Sequence, residues 1–559
     1  MKDYPLNKVP VINDLKEFSI NCSLNHKERI AFRYMKAKIE IEKTYQEFCD
    51  DIKFLGTSFL KMDIKNSNIA VIGENSYEWI VTYFAAATSS NIIVPIDKEL
   101  SNKDIIGLLK EADCKVAVFS GKMEKTIHEA KEFFGSQLIL INMDKADEYN
   151  KVLSFSELLS EGEELVAHGN NDFEKVVVDK NQVAAIHYTS GTTGVSKGVM
   201  LTHKNITANA SSSNENVKVY TTSVAVLPLN HTYGIAASIL AMLNVGTTIC
   251  INNSMKRISS DFKYYKPEHL FLVPLYIEVL YKRIWQTAKT KNKDKSLKRI
   301  TKVSDFLLKI GIDVRKYLFK DIIEGFGGEL KLIVCGGAPL DPKYVSGFRS
   351  FGINVLNGYG ITECSPIVAV NRNEYYRDGS VGRILSCNEV KIINEDENGE
   401  GEILVKGTNV MAGYYKNEVE TSKVIIDGWF NTGDIGKIDK DGFLFITGRK
   451  KNLIILSNGK NIYPEELEMQ LLTIPYVNEA LVYSVKGEKD KELSINAEVF
   501  LDTEYTNSTD RKQVEEALEK EIETINKTLP AYKNIGDFKI RETEFEKTST
   551  KKIKRSIKG

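Results

Sequence analysis

Short apolar, β-branched runs separated by longer stretches of helical periodicity recur through most of this chain, and that alternation restricts the fold more than any other feature. The runs read NIAVIG, IIVPI, KVAVFS, LILIN, VAAIHY, AVLPL, LFLVP, LKLIVCGG and INVLNGYG. Each suits a buried strand, and the intervening segments suit helices, so parallel sheets with helical crossovers are expected. In the first complete unit, NIAVIGENSYEWIVTYFAAATSS, a strand ends at Gly73, Asn75 or Ser76 can cap, and Trp79, Val81, Phe84 and Ala85 recur at helical spacing.

At 559 residues, the chain exceeds what one hydrophobic core supports, about 250 to 300 residues, so two or three subdomains are expected. After about residue 380 the texture shifts to Gly-punctuated β segments, GEILVKG, GWFNTGDIG and DGFLFITG, which suit hairpins and small barrels. Beyond TGRKK comes a compact mixed region with a helix expected over Pro464–Leu472 and a charged one over Arg511–Thr528. A boundary near Lys450 therefore divides residues 1–450 from 451–559. The fold class expected is α/β: a large N-terminal domain of layered α/β subdomains with a small β-barrel-like part, followed by a small α+β C-terminal domain.

The 75 basic and 76 acidic residues nearly cancel, which argues against a global nucleic-acid surface. Seven scattered cysteines form no CxxC pair and no zinc spacing, as expected of reduced cytosolic thiols. The start MKDYPLNKVPVINDLKEFSI lacks the basic and apolar regions of a signal peptide, and a cytoplasmic location is expected. The longest apolar region, Val224 to Ile251, is interrupted by Asn230, His231, Thr232, Tyr233 and Asn244, which disfavours a membrane span of about 20 residues and leaves peripheral association open. The basic stretch Lys289 to Lys302 reads as a solvated helix or loop.

Chemistry concentrates in YTSGTTGVSKGVMLTH, Tyr188 to His203. A strand that stops at Tyr188, followed by Thr189, Ser190, Gly191, Thr192, Thr193 and Gly194, can turn several backbone N–H groups inward. With hydroxyls and Lys197 beside it, such a nest suits a polyphosphate, although a plain Gly/Ser/Thr connector has the same composition. The common phosphate loop, GxxxxGK followed by Ser or Thr, fails on spacing, because Gly198 follows Lys197.

The full string resembles the signature of the adenylate-forming superfamily, which comprises acyl-CoA synthetases, peptide-synthetase adenylation domains and luciferases. The resemblance implies that Thr189, Ser190, Gly191, Thr192, Thr193, Gly194 and Lys197 clasp the β- and γ-phosphates of ATP. Ser196 stands where the family usually has proline. Further matches, CGGAPLDP and NGYGITE, imply that Gly336, Gly337, Ala338 and Pro339 line an adenine slot within an ATP site that includes Asn357, Gly358, Tyr359 and Gly360. Tyr359 would stack on the adenine, Thr362 would approach the α-phosphate, and Glu363 would hold Mg²⁺, a hard cation suited to a carboxylate. By the same resemblance Asp434 and Arg449 serve the ribose, Lys451 is a hinge that makes the C-terminal domain mobile, and Gly459 lies beside the pantetheine arm of CoA. The tail FEKTSTKKIKR resembles the family's last motif and implies a catalytic Lys552, with Lys551 in place of a usual glycine and Ile553 and Arg555 setting the register.

The resemblance implies two half-reactions: adenylation of an acid with release of pyrophosphate, then thiol attack on the acyl carbonyl. LPLNHTYG matches the segment lining the acyl pocket and would bring His231 near the carboxylate, although a capping histidine is the alternative. IAASILAMLNVG supplies small and aliphatic side chains without an acid to meet an amino group. Together with an insertion from about Lys282 to Gly328 and the segments ENSYEWIVTYFAA and VPIDKEL, this looks most like bacterial long-chain fatty acyl-CoA synthetases. The substrates expected are a long- or medium-chain fatty acid, ATP and CoA. A ligase that uses an acyl carrier protein as acceptor and a non-catalytic nucleotide-binding module remain as alternatives, with either a monomer or a homodimer compatible.

Overall fold

The computed structural model describes residues 3–145, 151–189, 196–456, 461–486, 493–502, 506, 510–547 and 553–555. Its first parallel unit forms as the pattern requires: strand Asn68–Ile72 leads to helix Tyr77–Thr88, whose free first-turn N–H of Trp79 is capped by Ser76 Oγ at 3.1 Å. Ile92–Ile96, Asn68–Ile72, Cys114–Phe119, Ile139–Asn142 and Val152–Ser154 then run parallel in one sheet of eight strands. Trp79, Tyr83 and Phe84 are buried, and aromatic contacts link Phe32, Phe48, Tyr77 and Phe84 into one core.

Two expected elements turn out differently. Val183–Thr189, which runs one residue past Tyr188, is followed by Lys197–Thr202 as an antiparallel neighbour in place of a helix. The reason is legible afterwards, since GVMLT is itself extended and apolar, and burial of Val199 and Leu201 against the sheet wins. In AVLPL only Ala225 belongs to a strand, Thr222–Ala225, because Pro228 has no N–H to continue a ladder.

The second large sheet joins two textures. Thr248–Ile251, Thr222–Ala225, His269–Leu272, Leu332–Cys335 and Asn354–Gly360 lie parallel, with helices between them in sequence. Within the last strand the pairing changes: Asn354 to Asn357 pair in parallel with Leu332–Cys335, whereas Gly358 to Gly360 pair antiparallel with Ile367–Val370. From there the sheet continues through Gly382–Ile384, Phe443–Arg449, Trp429–Ile438, Gly401–Gly407 and Asn388–Ile393, all antiparallel. The Gly-punctuated texture after residue 380 is this antiparallel half. NGYG, an ordinary turn by composition, is the strand at which the two halves meet.

The last segment has its own apolar core. Val477–Lys486, Leu493–Leu501 and Asp537–Arg541 form a mixed three-stranded sheet packed with helices Pro464–Leu471 and Arg511–Asn526, the latter ending two residues before Thr528. This small unit touches the large one through Lys282 Nζ to Asn478 Oδ1 at 2.7 Å and Lys343 Nζ to the Leu472 carbonyl at 2.9 Å.

Three buried histidines make the fold acid-sensitive. His203 Nδ1 accepts the Leu15 N–H and His269 Nδ1 the Tyr220 N–H, each at 3.3 Å, which requires both nitrogens to be unprotonated. Burial holds His187 and His203 down to about 4 and His269 to about 3, from an ordinary 6.5. The unfolded chain therefore binds protons below 6.5 that the folded chain refuses, so stability is complete above 6.5 and is lost as the pH falls towards 4. At about pH 5 each histidine should cost about 2 kcal/mol, read as a lower urea midpoint than at neutral pH. An unchanged midpoint would refute this account.

Candidate active site

Asp434 lies in Trp429–Ile438 directly opposite Arg449 of Phe443–Arg449, so sheet register alone brings the two charges together. Arg449 Nε reaches Asp434 Oδ1 at 2.9 Å, and the Tyr359 hydroxyl donates to Asp434 Oδ2 at 2.6 Å. Asp434 is 2% exposed, and its own N–H donates to Thr432 Oγ1. Burial, reinforced by the Asp434 charge, pushes the Tyr359 phenol well above its ordinary range and keeps it a donor. Each carboxylate oxygen retains a further lone pair.

A second string of contacts leads away from the same strand end. Glu363 sits on the single turn Thr362–Cys364, with its carbonyl held by the Met411 N–H at 2.8 Å and its Oε1 by the Tyr414 hydroxyl at 2.9 Å. Lys197 Nζ stands 5.0 Å from the Tyr414 ring centroid and 2.7 Å from Glu420 Oε2. Glu420 also takes Lys423 at 2.5 Å, and hydrogen bonding to Lys197, then to Lys423, holds its carboxyl down to about 2. Thr362 Oγ1 lies 3.4 Å from Thr232 Oγ1, and the preceding residue, His231, has its Nε2 4.0 Å from Asp97 Oδ2. His231 occupies the N-cap position of Thr232–Ile235 but makes no side-chain cap, so the capping alternative is not what this structure contains.

The loop after Leu332–Cys335 closes the other wall. Gly336 is buried and its N–H donates to the Leu272 carbonyl at 3.2 Å, while Gly337, Ala338 and Pro339 are exposed. Gly337 turns the loop at φ +91°, a region that L side chains rarely enter. At Gly360 a Cβ would stand 2.3 Å from the Pro366 carbonyl oxygen, so only glycine permits that close strand approach. Asn357 Oδ1 is a buried acceptor that lacks a hydrogen-bond partner among the described residues.

Ser190, Gly191, Thr192, Thr193, Gly194, Gly459, Lys551 and Lys552 lie outside the described residues. Their flanks are described. Thr189 is the last residue of its strand and pairs with Lys197 across the two strands. Ile553 bridges Lys547 in antiparallel fashion, the Lys554 N–H donates to the Glu546 carbonyl at 2.7 Å, and Arg555 binds Glu468 at 2.5 Å and the Val482 carbonyl at 3.3 Å. Desolvation, then the charges of Arg449 and Arg555, lower the Lys451 amine below its ordinary value. Lys451, Arg449 and Arg555 are thus near neighbours.

Sequence reasoning passed over Tyr414, Glu420, Asp97 and Thr232. GYYKNEVET carried a signal in its paired tyrosines and acids, but nothing local ties it to Lys197, 223 residues away. Among the described residues no group of three His, Cys, Asp or Glu side chains could by itself hold a metal ion. Glu363 is a single hard oxygen donor, a set that fits Mg²⁺ only if phosphate oxygens and water complete the shell.

The carboxyl ends of parallel strands, an acid locked between a phenol and a guanidinium, and a lysine-bearing strand pair define a crevice protein of the nucleotide-binding α/β type. Residues 21–415 match the AMP-binding enzyme family and residues 451–558 the AMP-binding enzyme C-terminal domain, and the chain belongs to this family. The chain is 31% identical over 466 residues to Long-chain-fatty-acid--CoA ligase 6 of Rattus norvegicus, which covers 76% of this chain and 65% of that one. It thus spans just under two thirds of that relative's length. Long-chain-fatty-acid--CoA ligase FadD15 of Mycobacterium tuberculosis is 26% identical over 565 residues, 92% of this chain and 90% of that one. The fold is shared with the anthranilate CoA ligase AuaEII solved with anthranoyl-AMP, at a TM-score of 0.77 and 17% identity, covering 98% of this chain and 96% of that one.

Proposed function

We propose that the chain activates a long- or medium-chain fatty acid with ATP and passes the acyl group to CoA, releasing pyrophosphate and then AMP. The observation that carries this reading is the Tyr359–Asp434–Arg449 cluster, set beside the Thr362–Glu363 turn at the end of the parallel strands. Asp434 keeps acceptor capacity for two ribose hydroxyls, the Tyr359 ring offers a face to adenine, and the unpartnered Asn357 Oδ1 suits an exocyclic amine. Lys197 would exchange Glu420 for the β- and γ-phosphates, with residues Thr189 to Gly194 beside it. Mg²⁺ bound at Glu363 would offset phosphate charge.

Adenylation then consists of attack by the acid's carboxylate oxygen on the α-phosphorus, with the bond to pyrophosphate breaking. Thr362 and His231 orient the two reactants, and Lys552 stabilises the charge that develops in transfer. In the second half-reaction the unit 451–559 turns about Lys451, withdraws Lys552 and presents the Gly459 face to the pantetheine arm. The thiol sulfur bonds to the acyl carbon, its proton is lost to solvent, and AMP leaves. The acyl wall is formed by Thr232–Asn244, a buried helical run widened by a π turn at Ala236–Leu240, a feature frequent at functional sites. Relatives named as long-chain ligases support the choice of acid.

Purified protein offered a panel of acids with ATP and CoA should release pyrophosphate with fatty acids and yield thioesters of matching mass. No acid-dependent pyrophosphate from any member would overturn the enzyme reading. Transfer to a phosphopantetheinylated carrier protein and never to CoA would overturn the acceptor.

A further inference from the structure

The basic stretch Lys289 to Lys302, read as a solvated helix or loop, runs directly into an apolar face. Helix Pro274–Thr290 is followed by helix Asp294–Lys309 and the short turns Arg315–Leu318 and Lys320–Gly325. Asp294–Lys309 turns a largely polar side inward: Ser304 is buried, Thr301 and Leu297 are half-buried, and Asp305 accepts from Ser350 Oγ at 3.3 Å. Its apolar stripe points the other way. Val303, Phe306 and Ile310 are 55%, 63% and 58% exposed, and Tyr317 just beyond is 83% exposed. This reverses the usual arrangement, in which a surface helix buries its apolar stripe against the core.

The charge around the stripe is equally one-sided. From Lys289 to Lys309 there are eight lysines and arginines against two aspartates, in a chain whose net charge is −1. Lys295, Lys298 and Lys302 flank the stripe, are exposed and form no ion pair among the described residues. No described helix is long and apolar enough to cross a membrane, so such a face would lie along a surface.

We propose that this helix docks the protein onto an anionic lipid bilayer, with Val303, Phe306 and Ile310 entering the boundary between headgroups and acyl chains and the lysines meeting lipid phosphates. Charge complementarity selects this occupant. A second copy packed two-fold on the same face would set eight like charges against eight, whereas an anionic bilayer supplies both the opposite charge and the hydrocarbon. The inference goes beyond the proposed activity and does not depend on it, since it uses none of the residues assigned to the crevice.

The test is flotation of the full chain with vesicles of phosphatidylcholine alone and of an equimolar mixture with phosphatidylglycerol. Binding is expected only to the mixed vesicles, weakened by salt. Two variants separate the contributions: Val303→Ser/Phe306→Ser/Ile310→Ser and Lys295→Glu/Lys298→Glu/Lys302→Glu. Each should lower the bound fraction about tenfold while leaving the thermal midpoint unchanged, because all six side chains are exposed. Absence of binding to mixed vesicles, or undiminished binding by both variants, would overturn the proposal. So would a serine variant that turns a dimer into a monomer without losing vesicle binding, since the occupant would then be a second copy. None of these readouts requires acyl-CoA synthesis, so failure here and failure of the proposed function are distinguishable.

Discussion

Lys552→Ala is expected to lower adenylate formation by about a thousandfold while leaving thioester formation from supplied acyl adenylate and CoA near the starting rate. The asymmetry follows from the proposed exchange of faces. A cation that neutralises charge during attack on the α-phosphorus has no part once the small unit has turned. The described flanks of that position are anchored, because Ile553 bridges Lys547 and Arg555 is pinned on Glu468. Burial raises Glu468 to about 7, with the Arg555 charge opposing that rise, so the pin strengthens as the pH rises above neutral. Pyrophosphate release and single-turnover thioester formation should be measured side by side. Lys551→Ala serves as the register control and should retain adenylation. Equal loss of both half-reactions in Lys552→Ala would mean that the lysine's role is wrongly assigned.

Asp434→Asn should weaken ATP binding by about a hundredfold, close to 3 kcal/mol, with a much smaller change in kcat. The substitution keeps the volume at a site only 2% exposed, so packing is preserved while one acceptor oxygen becomes a donor and the charge opposite Arg449 disappears. Ribose hydroxyls would then meet an amide N–H where a carboxylate oxygen had been. Calorimetric titration with ATP gives the affinity, and a thermal melt separates lost binding from lost structure. An unchanged ATP dissociation constant would remove Asp434 from the nucleotide site.

The crevice residues were named before any coordinates through the resemblance of short motifs to a family, since taken alone NGYG reads as a turn and NTGD as a turn cap. Tyr359 and Gly360 were readable in NGYG, Asp434 in NTGD and Arg449 in TGRKK. The Asp434–Arg449 pair follows from sheet register, and register follows from which residues can be buried. The loop Ser190 to Gly194 and the tail lysine were equally readable as strings, and their assignment still rests on those strings.

Other features were illegible for a physical reason. The Lys197–Glu420 ion pair and the Tyr414–Glu363 hydrogen bond join segments 223 and 51 residues apart. An acid or a tyrosine in a surface-like run carries no mark of its distant partner. VAAIHY is parallel to Ile92–Ile96, as expected, but its other neighbour Lys197–Thr202 is antiparallel, which periodicity could not show because it reports burial and not strand direction. The Lys289–Lys302 stretch is solvated as expected, but the exposed apolar residues just beyond it were not readable, since composition does not tell whether a helix's apolar side is packed or open.

The sequence by itself therefore determined the alternating architecture and the change of texture before the small C-terminal unit, which depend on spacing within a few turns or strands, and, through the resemblance of its motifs, the family. Tertiary structure alone decided which charges meet, where the parallel sheet becomes antiparallel, that Ser304 and Asp305 rather than Val303 and Phe306 face the body, and that an apolar basic helix is left uncovered. Those outcomes depend on long-range packing, in which a side chain's surroundings are set by elements hundreds of residues away rather than by its neighbours in the chain.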